Sequence, residues 1–541
     1  MSAVDGPRAR RGSRRRPEDA GETDPGPPGI LGRRIARWLE LWWRIAPRGR
    51  PELRTTLTVL TGSALALVGS FVVRVLMARA LEPGELGLLL LAIAIASPLA
   101  GVSSLGLSST TALVVARRRS AGETEGARRT AASALVIAGL AGGAGVTALW
   151  LGAAPLARLF AAGEGESALR AMLRAVSPIV VSVPLANAML GIHRGFGGAT
   201  ARAVLRDGGG GVARTLGVGV AALLGAGGTA IGLGFALGAA LSDGTYVAYG
   251  VLRGWVARAR RSFDRELLSR LRGFALLQVV GELRRWIDVL AVGLVLEPRQ
   301  VGLYGLARGF GRVLEAILHA PAHSFLPTAT TLDDRALRPV HGRVRQLTLA
   351  LLWAPATLCL LSPAWVIVPF AGEDYREAAP LLAWLALAFL IDVLWGFNQQ
   401  VLLARGGERA AMLVSLLTSV SMLLLVLFLA PRFGPAGAAA GLATVEGLRA
   451  LVLSLLLRRR GYRQPGAGPV AVPALLALAA VAFPRWGGLL APPTIAVLTV
   501  AVSTLGASAL VIAVLRSSPS ATNSVGDHAP ADDESTRPGG R

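Results

Sequence analysis

The chain has 541 residues, of which 53% are hydrophobic and only 16% charged, with a mean hydropathy of +0.54; this excludes a water-soluble assembly of ordinary domains. Its formal charge of +23 would suggest nucleic acid in a soluble protein, yet the basic residues sit mainly between apolar runs and read as topology signals, so no nucleic-acid partner is expected. All 56 basic residues are arginine, which coding bias explains more simply than chemistry.

The apolar runs are about 20 residues long, enough to cross a hydrocarbon core of about 30 Å as helices, which satisfy their own backbone hydrogen bonds in lipid. Residues 1–29 and 517–541, rich in Arg, Pro, Gly, Ser and acidic residues, read as disordered tails. Residues 30–54 hold an amphipathic helix and linker: Leu31, Ile35, Trp38, Trp42 and Ile45 recur at spacings of three and four among Arg33, Arg34, Arg37 and Arg44, a pattern suited to an anionic leaflet. The expected spans are 55–79, 85–106, 130–153, 172–192, 209–226, 228–252, 273–296, 301–325, 346–370, 379–402, 410–430, 434–457, 468–485 and 491–515. Cys359 falls in an apolar run, where it reads as a buried thiol.

Fourteen spans put both termini on one side and make the loops alternate. The tails and loops of one side hold 41 arginines and the loops of the other hold six, counting Arg485 at the very end of its span, so the Arg-rich side is expected to be cytoplasmic and the protein to sit in the inner (plasma) membrane. The opposite loops are short and often acidic, as in Glu82-Pro83-Gly84-Glu85 and Gly372-Glu373-Asp374.

The sequence also repeats. Leu81-Glu82-Pro83-Gly84-Glu85-Leu86-Gly87-Leu88 recurs as Leu296-Glu297-Pro298-Arg299-Gln300-Val301-Gly302-Leu303, and Gly228 and Gly232 are matched by Gly437 and Gly441. Six spans separate the copies, so both enter the membrane in the same direction: a parallel repeat about an axis along the membrane normal, enclosing a central cavity. The Gly-xxx-Gly spacing itself reads as close helix packing. The predicted architecture is an all-α integral membrane protein of about 14 transmembrane helices. Two six-helix bundles, 55–252 and 273–457, are joined by a basic cytoplasmic loop at 253–272 and followed by two further helices within 458–516.

Nine arginines fall inside spans: Arg74, Arg79, Arg174, Arg214, Arg284, Arg285, Arg308, Arg312 and Arg449. Each costs at least about 2.5–3.5 kcal/mol at a helix centre unless it meets a polar cavity or partner. Arg79, Arg174 and Arg214 lie near helix ends, within reach of the interface. In the eighth span Tyr304, Arg308, Arg312, Glu315, His319 and His323 are spaced to form one polar stripe, expected to line a water-filled lumen. The seventh adds Gln278, Glu282, Arg284, Arg285 and Asp288, and the first adds Arg74. A cationic, aqueous cavity suits a phosphate-bearing substrate, because planar guanidinium grips phosphate oxygens bidentately. Asp392, Trp395 and Gln399 form a smaller polar face, and Glu446 with Arg449 reads as an internal pair. No His/Cys cluster, Walker motif or sizeable soluble domain is present, so an enzyme or ATP-driven pump is not expected, nor any cofactor beyond a coupling H⁺ or Na⁺.

Met77-Ala78-Arg79-Ala80-Leu81-Glu82-Pro83-Gly84-Glu85-Leu86-Gly87, Ile287-Asp288 followed by Val301-Gly302-Leu303-Tyr304-Gly305-Leu306-Ala307, Phe370-Ala371-Gly372-Glu373-Asp374-Tyr375 and Gly434-Pro435-Ala436-Gly437-Ala438-Ala439 occur in that order. With the six-plus-six repeat, residues 55–515 resemble the oligosaccharide flippases of the Wzx or RfbX type in the multidrug/oligosaccharidyl-lipid/polysaccharide exporter superfamily. The resemblance implies export of an undecaprenyl-pyrophosphate-linked oligosaccharide by alternating access, driven by an ion gradient. It implies that Arg74, Arg284, Arg285, Arg308 and Arg312 hold the pyrophosphate. Glu282, Asp288, Glu315 and Asp392 would then be candidates for H⁺ or Na⁺, with Tyr304, His319, His323 and Gln399 lining the cavity. The Arg-rich leader and the absence of Lys depart from the family pattern. A lipid II flippase and a non-transporting scaffold that recruits glycan-synthesis enzymes through its basic tails remain as alternatives; a cavity rich in Arg disfavours cationic drugs.

Overall fold

A computed structural model describes residues 51–163, 165–198, 200–257, 264–319 and 321–464. The expected tails, most of the amphipathic segment 30–54 and the two C-terminal spans lie outside the described residues.

The described chain is helical, without a strand. Its first half comprises α1 (Pro51–Ala80), α2 (Pro83–Ser103), α3 (Leu107–Ser120), α4 (Thr124–Phe160), α5 (Gly165–Ala175), α6 (Pro178–Gly195), a π-helical segment (Arg202–Gly208) continuing into α7 (Gly209–Leu223), and α8 (Gly228–Leu252). The second comprises α9 (Arg265–Val295), α10 (Pro298–His319), α11 (Ala322–Thr331), α12 (Asp334–Leu361), α13 (Ala364–Ala371), a 3₁₀ segment (Glu373–Ala378), α14 (Ala379–Leu394), α15 (Asn398–Ala404) and α16 (Glu408–Arg459). Each of the twelve spans expected between 55 and 457 overlaps one of these elements. Gly434, at φ 61° and ψ −152°, breaks α16 into two limbs; a left-handed φ of this kind suits glycine, and Pro431 and Pro435 flank the break.

Eight helical stretches among the described residues are long and apolar enough to cross a membrane, including Pro83–Ser120, Thr124–Phe160 and Glu408–Arg459. The chain is a multi-pass membrane protein. α9 and α10 are of spanning length too, but carry charges at their centres, and their surroundings account for how those charges are tolerated.

Helix lengths depart from the sequence expectation where charge or glycine masks the pattern. The second span ends at Ser103, close to the expected 106; after a break at Leu105 and Gly106, both at positive φ, a separate helix, α3, carries the basic Arg117-Arg118-Arg119. α12 starts well before 346, and the helix expected from 209 begins with π winding at Arg202. Four consecutive glycines, Gly208–Gly211, and two arginines hide that continuation, because glycine weakens helix propensity and arginine reads as loop.

The two repeat copies meet each other. A Cβ on Gly87 would strike the carbonyl oxygen of Pro298, and one on Gly302 would strike that of Pro83, so the starts of α2 and α10 touch reciprocally, as a twofold relation requires. On the same side Arg79 donates to the carbonyls of Pro369 and Phe370, and the Tyr375 hydroxyl donates to Leu81 O at 2.8 Å. At the Arg-rich end α9 opens against the first half. Asp264 caps it by accepting from Glu266 N at 3.0 Å, and the same carboxylate takes Arg118 at 2.7 Å and Thr130 Oγ1 at 2.6 Å. Leu267 and Leu271 pack there with Leu107, Ala134 and Ala188, whereas Val289, Ala291 and Val292 at the other end of α9 join the main core.

Candidate functional site

Two charged cavities lie side by side. The first, about 640 Å³, is lined by α1, α2, α3 (through Ser108), α6, the π segment, α7 and α8 of the first half and by α9 and α10 of the second. The second, about 310 Å³, is lined by α9, α10, α14, α15 and both limbs of α16. Arg285 and Arg308 line both, so the chain holds a divided space where the sequence suggested a single lumen. An outward groove of about 770 Å³ on α1, α7 and α8 is walled by residues such as Leu65, Leu216 and Leu237 and offers nothing to a charged group.

The first cavity is lined by Arg74, Arg202, Arg206, Arg214, Arg285, Arg308 and Arg312, against only Asp207, Asp243 and Glu282. Some of these are matched. Arg202 Nε lies 3.3 Å from Asp207 Oδ2. Arg206 Nε donates to Asp243 Oδ1 at 3.1 Å, whose other oxygen accepts from Ser182 Oγ at 3.0 Å. Arg285 lies 3.5 Å from Glu282 Oε1, which also accepts from Gln278 Nε2 at 3.1 Å. Arg308 is held twice, by Asp288 Oδ2 at 3.0 Å and by Glu315 Oε2 at 2.8 Å.

Arg74, Arg214 and Arg312 have no carboxylate within ion-pair reach among the described residues. Arg312 stands 5.0 Å over the Trp286 ring. Arg214 donates Nε to Gly210 O at 2.9 Å and lies 5.9 Å from the Phe235 ring. Arg74 rests on Gly309 of α10, where a Cβ would approach its Cδ to 2.7 Å. In the reverse sense Glu282 of α9 rests on Gly101 of α2, where a Cβ would approach its Cδ to 2.6 Å. Each half thus seats one charge of the other on a glycine. Three guanidiniums without an internal counter-ion can each accept an anionic ligand without first breaking an ion pair.

The second cavity is balanced. It is lined by Arg284, Arg285, Arg308 and Arg449 and by Asp288, Glu315, Asp392 and Glu446, with His319 at its edge. Arg449 bonds Asp392 Oδ1 and Glu446 Oε2, each at 2.6 Å, and donates to Gln399 Oε1 at 3.4 Å. The structure therefore joins the Asp392–Gln399 face and the Glu446/Arg449 pair into one network. Arg284 lines this cavity and not the first.

The polar stripe of the eighth span is split. Gly305, Arg308 and Arg312 face the first cavity, while Arg308, Glu315 and His319 face the second. Tyr304 is fully buried and lines neither; its hydroxyl donates to Asp288 Oδ2 at 3.2 Å. The side chain of His323 lies outside the described residues. Sequence reasoning missed Arg202, Arg206, Asp207 and Asp243, and set Arg214 aside as an end residue. The four-residue spacing of Arg202, Arg206, Gly210 and Arg214, all of which line the first cavity, was the signal available.

No family model matches the chain, and no curated protein matches its sequence. Its fold matches solved transporters. A lipid II flippase, MurJ, in an inward closed conformation superposes with a TM-score of 0.68 at 14% identity, over 86% of this chain and 99% of that one. An inward-facing multidrug resistance MATE family transporter of the MOP superfamily gives a TM-score of 0.63 at 16% identity, over 73% of this chain and 94% of that one. A MOP superfamily transporter from Pyrococcus furiosus, described by a reversed polarity of its binding pocket, gives 0.51 at 16% identity, over 76% of this chain and 96% of that one. At these identities the likeness is one of fold.

Proposed function

We propose that the chain is a flippase that carries an oligosaccharide linked to undecaprenyl diphosphate across the cytoplasmic membrane by alternating access, both termini being cytoplasmic, for surface polysaccharide synthesis. The observation that carries this reading is the trio Arg74, Arg214 and Arg312, uncompensated in a cavity lined by helices of both halves. An aqueous, cationic space attracts phosphate and repels cationic drugs. In this reading Arg74 and Arg312, one from each half, hold the diphosphate; Arg285 and Arg308 complete the wall; and Arg284 acts on the neighbouring network. The seam of Gly87, Pro298, Gly302 and Pro83 is the outer gate that parts when the head group is released.

The second cavity is proposed as the coupling site. A proton or Na⁺ there would loosen Asp288 or Glu315 from Arg308, or Asp392 from Arg449; bound at Glu282, on the wall of the first cavity, it would release Arg285 in the same way. Membrane lipids, an anionic leaflet for the basic N-terminal segment, and glycan-synthesis enzymes are the proposed partners.

Arg74→Ala and Arg312→Ala should abolish surface polysaccharide while the protein persists in the membrane; normal polysaccharide in both would remove the cavity from the mechanism. A second reading, a lipid II flippase, is favoured by the fold match that covers 86% of this chain. Lethal depletion with accumulation of peptidoglycan precursor would select it.

A further inference from the structure

Arg202, Arg206 and Arg214 stand four residues apart or multiples of it, with Gly210 between, and all three line the first cavity. The π winding of Arg202–Gly208 brings the first two onto the wall that α7 continues; such segments recur at functional sites. Arg206 is spent on Asp243; among the described residues, Arg214 has no carboxylate partner and Arg202 is held only by a contact to Asp207. Arg214 meets only a backbone carbonyl and a ring. Arg202 approaches Asp207 at 3.3 Å with its side chain 40% exposed, and its buried Nε makes no hydrogen bond.

A diphosphate diester presents two ionised phosphates, which Arg74 and Arg312 match. That leaves Arg214 uncompensated and Arg202 loosely held on the wall built by the first half alone. An uncompensated guanidinium in a membrane protein is costly without an anionic partner, and the substrate is the partner that enters this space. We infer that the π segment and α7 form a second anion station, which takes a carboxylate on the substrate's head group while the diphosphate occupies Arg74 and Arg312. The flippase substrate is then an acidic glycan conjugate, its carboxylate coming from a uronic-acid sugar or from a peptide attached to the sugar. The inference rests on the proposed function and adds the class of head group.

The test uses the full-length chain in lipid nanodiscs and three farnesyl-diphosphate probes: a neutral disaccharide, the same disaccharide ending in a uronic acid, and the neutral disaccharide carrying a short peptide with a free carboxylate. At least one acidic probe should bind about tenfold or more tighter than the neutral one, as a charge-assisted contact supplies. Which of the two does so identifies the source of the carboxylate. Arg214→Gln and the double variant Arg202→Gln/Arg214→Gln should bring that ratio close to one. Arg206→Gln paired with Asp243→Asn, which removes both members of an ion pair, should lower it less. Arg74→Ala and Arg312→Ala should weaken all three probes in parallel and keep the ratio. Equal binding of neutral and acidic probes by the unaltered protein, or a preference that survives in the Arg214 variants, overturns the second station; if binding then still depends on Arg74 and Arg312, the flippase reading stands. Failure of every probe to bind overturns both.

Discussion

Arg449 and Arg312 carry the same charge within the same half of the molecule, yet they should answer mutation in opposite ways. Arg449 is 8% exposed and bonded to two carboxylates at 2.6 Å. Truncating it strands Asp392 and Glu446 together, and the loss of one partner from a buried pair costs about 3–5 kcal/mol. Arg312 has a ring beneath it and no carboxylate; its truncation gives up about 1–2 kcal/mol of cation–π contact. Arg449→Ala is therefore expected to lower the unfolding midpoint of the purified protein strongly, while Arg312→Ala lowers it much less and loses transport. A midpoint loss as large for Arg312→Ala as for Arg449→Ala would show that Arg312 is structural. The sequence placed both arginines inside spans and read Glu446, three residues before Arg449, as its partner, which the structure shows at 2.6 Å; it could not see the more distant partners. Which arginine is matched depends on carboxylates such as Asp392 and Asp288, which lie 57 residues from Arg449 and 20 from Arg308 and reach them only through packing.

At the scale of elements, the repeated Leu-Glu-Pro segment is the part of the fold most legible in the sequence, and it also does the most to join the halves. The helix that starts at Pro83 and the helix that starts at Pro298 touch because each carries glycine one turn in, at Gly87 and Gly302. Gly87→Val would drive a branched side chain into the Pro298 carbonyl. Overpacking of this kind costs about 1–3 kcal/mol, and it should hold the outer seam apart. The expected outcome is a less stable protein that supports no surface polysaccharide; unchanged stability and polysaccharide would mean the seam is not a close contact in the working protein. The π segment was illegible for the opposite reason. Its signal, arginines at every fourth position, is interrupted by Gly208–Gly211, and arginine before an apolar run ordinarily marks the membrane boundary.

At the scale of the whole molecule, hydropathy and the repeat revealed an all-helical membrane protein in two related halves. They could not reveal that the space between and within the halves is divided, because division depends on Arg308 being clasped by Asp288 and Glu315 on the wall common to both cavities. The resulting asymmetry of charge separates the roles proposed for the two spaces. In that proposal the cavity with surplus guanidinium receives an anionic head group, and the balanced cavity, where every carboxylate already faces an arginine, responds to a small cation. That division of labour requires the first cavity to be wet and to hold a diphosphate. The most direct test keeps every arginine in place: Ser70→Cys and Ser97→Cys, two positions that line this cavity, in a Cys359→Ser background that removes the one native, buried thiol. A water-soluble thiol reagent should modify both, faster than it modifies Leu216→Cys or Leu241→Cys on the exposed outer face, and farnesyl diphosphate should slow the cavity reactions alone. Serine positions no more reactive than their outer-face counterparts, or reactive but indifferent to the diphosphate, would contradict the account.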